Sequence, residues 1–313
     1  MTPLVSVVMP VLNAAPFLKD SVESILTQTL GDLEFVIVDD GSTDGSQDII
    51  ADYARRDGRL RTLFLERDPE GRSGARATRM GAQIAAAPLL ARMDADDIAL
   101  PHKFETQLAY MRAHDLDVCG AEMAYFGAKE KPVWFPQGQD AMRREMLFRI
   151  VMPHPSMVFA AGVFRAVTPR EDVHAEDYVW QTQLIRRYRM GNVPEVLLRN
   201  RVHAAQTTTV KRAQIRKDYL AARMPYFFAE WPQARMDDFI AISRIADGVR
   251  FAEVREVELA GSWLAKLADL PDAKLRARMA RRWRESEALV AGLGDEGMAV
   301  FARATKTLDG MAG

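Results

Sequence analysis

The first third of the chain alternates short, near-continuously apolar runs with longer amphipathic stretches, and few folds accept that pattern. Val5-Ser6-Val7-Val8-Met9 and Phe35-Val36-Ile37-Val38 read as strands covered on both faces, where no polar alternation survives. Leu4–Met9 is followed by a helix-like Phe17–Gln28, Leu33–Val38 by Ser46–Arg55, and Leu60–Leu65 by Ala75–Ala86. Repeated βα units of this length predict a mostly parallel sheet with helices on both faces. Pro10 and Asp39-Asp40-Gly41 stop the first two strands, and Pro88–Met93 reads as a further buried strand. A helix near Lys103–His114, an irregular strand region over Val118–Trp134 with mixed pairing, and a helix near Ala141–Phe148 are expected next.

From Lys211 onward strand signals vanish. Apolar residues recur at three- and four-residue spacing, as in Phe239, Ile242, Ile245 and Ala246, then Val257, Ala260, Leu264 and Leu267, which is helical periodicity. Gly248, Pro271 and Gly292-Leu293-Gly294 are the expected breaks. The predicted organisation is an α/β domain over residues 1–210 and a helical region over 211–313. With 313 residues, 48% of them hydrophobic, the chain can bury one large core with an appendage, or two cores.

Composition excludes several classes. The single cysteine, Cys119, cannot form an internal disulfide, which suits a reducing compartment and a core position. The formal net charge of −1 hides an uneven split: residues 1–210 carry 24 Lys/Arg against 28 Asp/Glu, and residues 211–313 carry 18 against 15. Such near-neutrality offers no electrostatic footing for nucleic acid. No G-x-G-x-x-G or G-x-x-x-x-G-K-[ST] occurs, which removes a dinucleotide dehydrogenase and a P-loop nucleotidase. No N-terminal charged-then-apolar signal and no run of the ~20 apolar residues needed for a span is present, so a soluble, cytoplasmic protein is expected. Within Lys274–Arg284, Leu275, Met279 and Trp283 fall on one helical face with arginines around the rest. Such a helix can rest on the inner, anionic face of a membrane, or it can be core with a solvated basic face.

Two acidic loops carry the chemistry. Asp94-Ala95-Asp96-Asp97 follows the strand Pro88–Met93, and Asp39-Asp40-Gly41-Ser42 ends the second strand. In a parallel sheet both arrive at the C-terminal edge, where such sheets bind ligands. Crowded carboxylates repel unless a cation lies between them, and hard oxygen donors suit Mg²⁺ or Mn²⁺ bridging to a phosphate. The plain alternatives are that Asp96 or Asp97 caps the helix opening near Pro101, and that Asp39-Asp40-Gly41 is an Asx turn. Glu176 and Asp177 precede another helix-like run, Tyr178–Tyr188, where they could simply favour its N-terminus.

Val5-Ser6-Val7-Val8-Met9-Pro10 with Asn13, Ser24-Ile25-Leu26-Thr27-Gln28-Thr29, Val38-Asp39-Asp40-Gly41-Ser42 and Ala91-Arg92-Met93-Asp94-Ala95-Asp96-Asp97 with Pro101 appear in this order. His154-Pro155-Ser156, Ala175-Glu176-Asp177-Tyr178 and Arg201-Val202-His203-Ala204-Ala205-Gln206 follow. Over residues 3–210 this resembles the inverting nucleotide-sugar glycosyltransferases of family two. The resemblance implies a GT-A fold and a hexosyltransferase using Mn²⁺ or Mg²⁺ and a nucleotide-sugar donor, of UDP type, toward a glycan or lipid-linked hydroxyl acceptor in bacterial surface polysaccharide or glycolipid synthesis. It implies that Asp96 ligates the metal, with Asp94 nearer the ribose or a metal-bound water and His203 near the metal or diphosphate. It further implies that Pro10, Asn13, Asp39 and Asp40 line the nucleotide pocket, that Arg72, Arg76 and Arg79 contact diphosphate or sugar, and that Asp177 is the catalytic base. His154 falls on an acceptor-side loop in this reading. Two departures stand out: Leu12 replaces a common aromatic residue, and Thr78-Arg79 replaces an Arg-Asn pair before Gly81. A GT-A protein that binds donor without turnover and a sugar nucleotidyltransferase are the alternatives; for the latter, the glycine-rich basic loop expected after the first strand is missing from Pro10–Pro16.

Overall fold

In the computed structural model, which describes residues 2–68, 73–203 and 211–312, strands β1 (Val5–Val11), β2 (Leu33–Asp39), β3 (Leu60–Phe64) and β4 (Leu89–Arg92) run parallel. Two short strands, β5 (Ile98–Ala99) and β7 (Lys131–Val133), and three longer or central ones, β6 (Val118–Gly127), β8 (Val158–Ala160) and β9 (Met190–Val202), complete one sheet. Its order is β3-β2-β1-β4-β8-β6-β9-β5, with β7 beside β6. β8 is antiparallel to β4 and β6, and β9 is parallel to β6 with an irregular register between Ala121 and Met123. Mixed pairing is thus confined to the half after β4.

The helices are α1 (Ala15–Leu26), α2 (Ser46–Arg56), α3 (Ser73–Ile84), α4 (Lys103–His114), α5 (Gln139–Glu145), α6 (Ala161–Ala166) and α7 (Glu176–Leu184), followed by the C-terminal ones named below by their residues. On one face of β1 and β2, Val7, Met9, Phe35 and Ile37 pack with Leu18, Val22, Ile25 and Phe104 of α1 and α4. On the other, Val8, Val36 and Val38 meet Ala77 of α3. Burial on both faces is why these strands show no polar alternation. Gly81 lets α3 approach so closely that a Cβ there would lie 2.5 Å from Val8 Cγ1. Cys119 is fully buried, and burial pushes its thiol up to about 12.

The chain forms two compact units, residues 1–139 with 150–218 and residues 140–149 with 219–313. The decapeptide 140–149 therefore groups with the helices rather than with the preceding sequence. Glu145 supplies the reason: this fully buried carboxylate accepts through Oε2 from Arg149 Nε at 3.0 Å, Arg278 Nε at 2.9 Å and Arg282 Nη2 at 3.0 Å. Burial alone would raise the Glu145 carboxyl, but Arg282, Arg278 and Arg149 outweigh it and hold it below its ordinary value.

The second unit contains the helices Met236–Asp247, Val254–Ala268, Ala273–Glu285 and Gly294–Ala312. Leu275, Met279 and Trp283 are each 0% exposed. Trp283 stacks on Phe301 at 4.7 Å between centroids and donates from Nε1 to Thr305 Oγ1 at 3.0 Å. Of the two readings open for this segment, the apolar stripe is core. Its arginines are largely paired, Arg278 and Arg282 with Glu145, Arg281 with Glu285 and Arg284 with Asp309. Among the described residues no helix is long and apolar enough to cross a membrane.

Candidate active site

Because β1, β2 and β4 are parallel neighbours, the segments that leave them emerge along one sheet edge. Asn13, in left-handed backbone at φ 51°, joins the first two of these loops. Its amide donates to Ser42 Oγ at 2.9 Å, and its Oδ1 accepts from Thr43 N at 2.9 Å. The Asn13 side chain is thus engaged in loop construction, and Pro10, half-buried in β1, pairs with Val38.

Asp39 does close the Asx turn: Oδ1 accepts from Gly41 N at 3.2 Å, Ser42 N at 3.0 Å and Gln47 Nε2 at 2.7 Å. Its Oδ2, however, is buried without a hydrogen-bond partner, and so is Oδ2 of Asp40. Asp40 Oδ1 accepts from Arg76 Nη1 at 3.1 Å. Burial pushes the Asp40 carboxyl above its ordinary value, against the pull of Arg76. Two orphaned acceptors at a sheet edge fit the ring N–H or hydroxyl donors of a nucleoside. Arg79 instead pairs with Glu171. Arg72 lies outside the described residues.

After β4, one carboxylate oxygen from each of Asp94, Asp96 and Asp97 lies within 4.8 Å of the others. They do not cap the next helix, whose N-cap is His102 with no side-chain bond. Asp97 is fully buried and held by β9: it accepts from Asn200 Nδ2 at 2.9 Å and from Arg201 N at 2.9 Å. Burial, with the adjacent Asp96, pushes its carboxyl up to about 7. Arg201 Nε donates to the Asp96 carbonyl at 2.9 Å, and His203 Nε2 lies 2.9 Å from Asp96 Oδ2. The His203 ring packs on Phe17 at 4.6 Å between centroids. Strand β9 thereby brings His203 to Asp96; Ala204, Ala205 and Gln206 of the same motif lie outside the described residues. Partly open Asp94 and Asp96 supply hard oxygen donors with an imidazole beside them, a set that suits Mn²⁺ or Mg²⁺.

Glu176 and Asp177 form the first turn of α7. Asp177 Oδ1 accepts from Tyr178 N at 2.7 Å, so part of its carboxylate serves the helix terminus. Burial raises both carboxyls, Glu176 to about 7, where Asp177 adds repulsion. His154, in the short 3₁₀ turn His154–Ser156, is buried, and its Nε2 has no hydrogen-bond partner. Burial, with the positive charge of Arg92, holds it neutral, well below its ordinary value.

Sequence reasoning passed over Arg92. Its side chain, 7% exposed, forms an ion pair with Asp94, and its charge acts on Glu176, Asp97, Asp177 and Asp96. A signal existed: an arginine inside the apolar run Pro88–Met93 must meet acid if the run is a buried strand. Asn200 carried no such signal, and Arg201 stood in the motif Arg201–Gln206 with no role given to it.

Residues 6–168 match the family described as "Glycosyl transferase family 2". TuaG of Bacillus subtilis, named for teichuronic acid biosynthesis, is 40% identical over 110 residues, which are 35% of this chain and 42% of TuaG. The chain therefore spans under half the length of that relative. Among solved structures, TarS 1–349 of Staphylococcus aureus in complex with UDP-GlcNAc aligns with a TM-score of 0.64 at 14% identity, over 98% of this chain and 90% of that one. The mannosyltransferase PcManGT of Pyrobaculum calidifontis in complex with GDP-Man and Mn²⁺ aligns with a TM-score of 0.59 at 17% identity, over 100% and 86%. These likenesses identify the α/β sheet as a GT-A fold followed by a helical C-terminal region.

Proposed function

From the premise that the chain belongs to glycosyl transferase family 2, we propose that it transfers a sugar, with inversion, from a UDP-type donor to a hydroxyl of a glycan or lipid-linked acceptor, using Mn²⁺ or Mg²⁺. The reading rests on one observation above others: Asp94, Asp96 and Asp97 converge within 4.8 Å on the sheet edge that also carries Asp40. The ligands named for TarS and PcManGT, UDP-GlcNAc and GDP-Man with Mn²⁺, support a nucleotide-sugar and a divalent cation. The name of TuaG supports a place in cell-envelope polysaccharide synthesis. Residues 1–210 carry the chemistry in this reading, and residues 211–313 form an accessory helical region.

Each residue has a role that its surroundings permit. Asp96 is the direct ligand, with Asp94 beside the ribose or a metal-bound water and His203 supporting Asp96. A divalent cation held there supplies positive charge where the departing diphosphate becomes negative. Asp39 and Asp40 receive donors of the base and ribose on their unpartnered Oδ2 atoms, and Arg76 and Arg79 contact diphosphate or sugar. Asp177 takes the acceptor hydroxyl's proton on the face opposite the leaving group, since a single in-line displacement needs one base. Its elevated pKa keeps it a better base than an exposed aspartate. The test is calorimetry of UDP with Mn²⁺. Asp96→Ala should abolish metal-dependent nucleotide binding, and unchanged affinity in that variant refutes the assignment.

A further inference from the structure

One buried cation, Arg92, pairs with the acidic loop and lies across Gly74 from α7. Arg92 lies on β4, paired in the sheet with Val8 and bonded from its backbone N to Met157 O at 3.0 Å, so its backbone is fixed. Its guanidinium forms an ion pair with Asp94 and also neighbours Glu176: a Cβ built on Gly74 would lie 3.2 Å from Glu176 Oε1 and 4.0 Å from Arg92 Nη2. The absent side chain at Gly74 leaves the space between these two groups open at the start of α3. The charged and titratable groups that act on Arg92 come from the acidic loop (Asp94, Asp96, Asp97), from α7 (Glu176, Asp177) and from the 3₁₀ turn (His154). One guanidinium cannot neutralise all of these acids, and Arg92 Nε is buried without a hydrogen-bond partner.

We propose that Arg92 is a positioning residue: an internal counter-ion that competes with the divalent cation and its bound water for Asp94 and, when Asp94 turns to them, leaves its charge to Glu176 and Asp177. The inference rests on the metal reading above. It makes metal arrival and the electrostatics of the acceptor-side acids one linked equilibrium, in which each affects the other by the same factor. Arginine suits this position because its planar fork addresses two carboxylates at once and stays charged when buried.

The experiment is a double-mutant cycle read by calorimetric titration of Mn²⁺ alone into the full chain at pH 8, above the value of about 7 to which burial pushes Glu176. An opposite charge at contact distance biases a carboxylate by one to three pKa units. Arg92→Met should therefore bind Mn²⁺ about tenfold more tightly than the parent, a gain that damaged packing does not produce. Glu176→Gln should weaken Mn²⁺ binding in the parent, because it leaves the guanidinium to Asp94, and should weaken it less in the Arg92→Met background. If Arg92→Met does not fold, Arg92→Gln carries the test: it removes the charge and keeps hydrogen-bonding capacity, so it too should bind Mn²⁺ more tightly and show less coupling to Glu176→Gln. Parent-like Mn²⁺ affinity in the Arg92 variant, or an equal Glu176→Gln effect in both backgrounds, overturns the proposal. Asp96→Ala separates the two readings: if it binds Mn²⁺ as the parent does, the metal site itself is wrong. If it loses Mn²⁺ while the Arg92 variant shows no gain, only this inference fails.

Discussion

Two buried charge clusters have opposite stoichiometry. Around Arg92 one guanidinium faces several carboxylates, and around Glu145 one carboxylate faces three guanidiniums. The Glu145 cluster is a closed arrangement: its arginines converge on one oxygen, and Arg282 also lies over the Phe148 ring at 4.2 Å. It ties residues 140–149 to the helix Ala273–Glu285 by direct ion pairs. The Arg92 cluster is open, since Asp94 and Asp96 remain partly exposed, whereas Glu145 is fully buried even though its Oε1, like Oδ2 of Asp39 and Asp40, has no hydrogen-bond partner. A cluster with more acid than base calls for a cation from outside, whereas an acid enclosed by arginines serves stability. Mutating the first should therefore affect chemistry and mutating the second should affect folding.

The largest expected separation comes from Asp177→Asn, which keeps shape and hydrogen-bonding capacity but removes basicity. Turnover should fall by about 10²–10⁴-fold, the usual worth of general-base catalysis, with donor affinity and melting temperature near the parent's. Parent-rate transfer by this variant, or a product that retains the donor's anomeric configuration, would return Asp177 to the status of a helix-end carboxylate.

Glu145→Ala probes the other cluster. Removing one partner of a buried ion pair costs about 3–5 kcal/mol, because the remaining charges stay buried and uncompensated. Denaturant unfolding should show a loss of that order, and Mn²⁺ affinity of the folded fraction should not move. A loss below about 1 kcal/mol would mean that the arginines simply relax into water, as surface pairs do.

Asp40→Ala should have a smaller effect. A hydrogen bond from a neutral donor to a charged acceptor contributes about 1.5–3 kcal/mol, so UDP should bind about ten- to hundredfold more weakly while the melting temperature holds or rises. If UDP and GDP bind the parent equally and neither responds to the substitution, Asp40 does not read the nucleoside.

The smallest effect is a pH dependence of stability. Glu176 has a folded value of about 7, raised by burial from 4.5, so its neutral form is the one the fold favours. Its contribution is fully present below the unfolded value and is lost as pH rises through about 7. Metal-free protein should melt a few degrees higher at pH 5.5 than at pH 8, and Glu176→Gln should flatten that slope. A slope of the opposite sign would show that Glu176 is ionised throughout and held by Arg92.

Much of the catalytic half was legible because its determinants are local. Continuous apolar runs separated by amphipathic stretches specify parallel strands with crossovers, and β1–β4 lie where that pattern placed them, except that β1 runs through Pro10 to Val11 instead of stopping there. Parallel order alone carries the Asp39-Asp40 and Asp94–Asp97 loops to one edge, whatever the details of packing. Periodicity revealed the apolar stripe of Lys274–Arg284 but not what covers it, and so left core and membrane surface both open; Phe301 and Thr305 cover Trp283.

What the sequence determined, then, is the parallel half of the sheet, the edge its loops share and the identity of the acids gathered there, since these follow from continuous apolar runs, the 3.6-residue period of the stretches between them and the residue types at strand ends. Tertiary structure decided which charges meet. Asn200 and Arg201 reach Asp97 across more than one hundred residues of chain, Arg92 pairs with Asp94 and lies across Gly74 from Glu176, and Glu145 is enclosed by arginines from a distant helix. Ion pairing acts over a few ångströms in space and leaves no periodic trace along the chain. Only folding could reveal that one buried arginine stands between the acids of the sheet edge and those of the neighbouring helix.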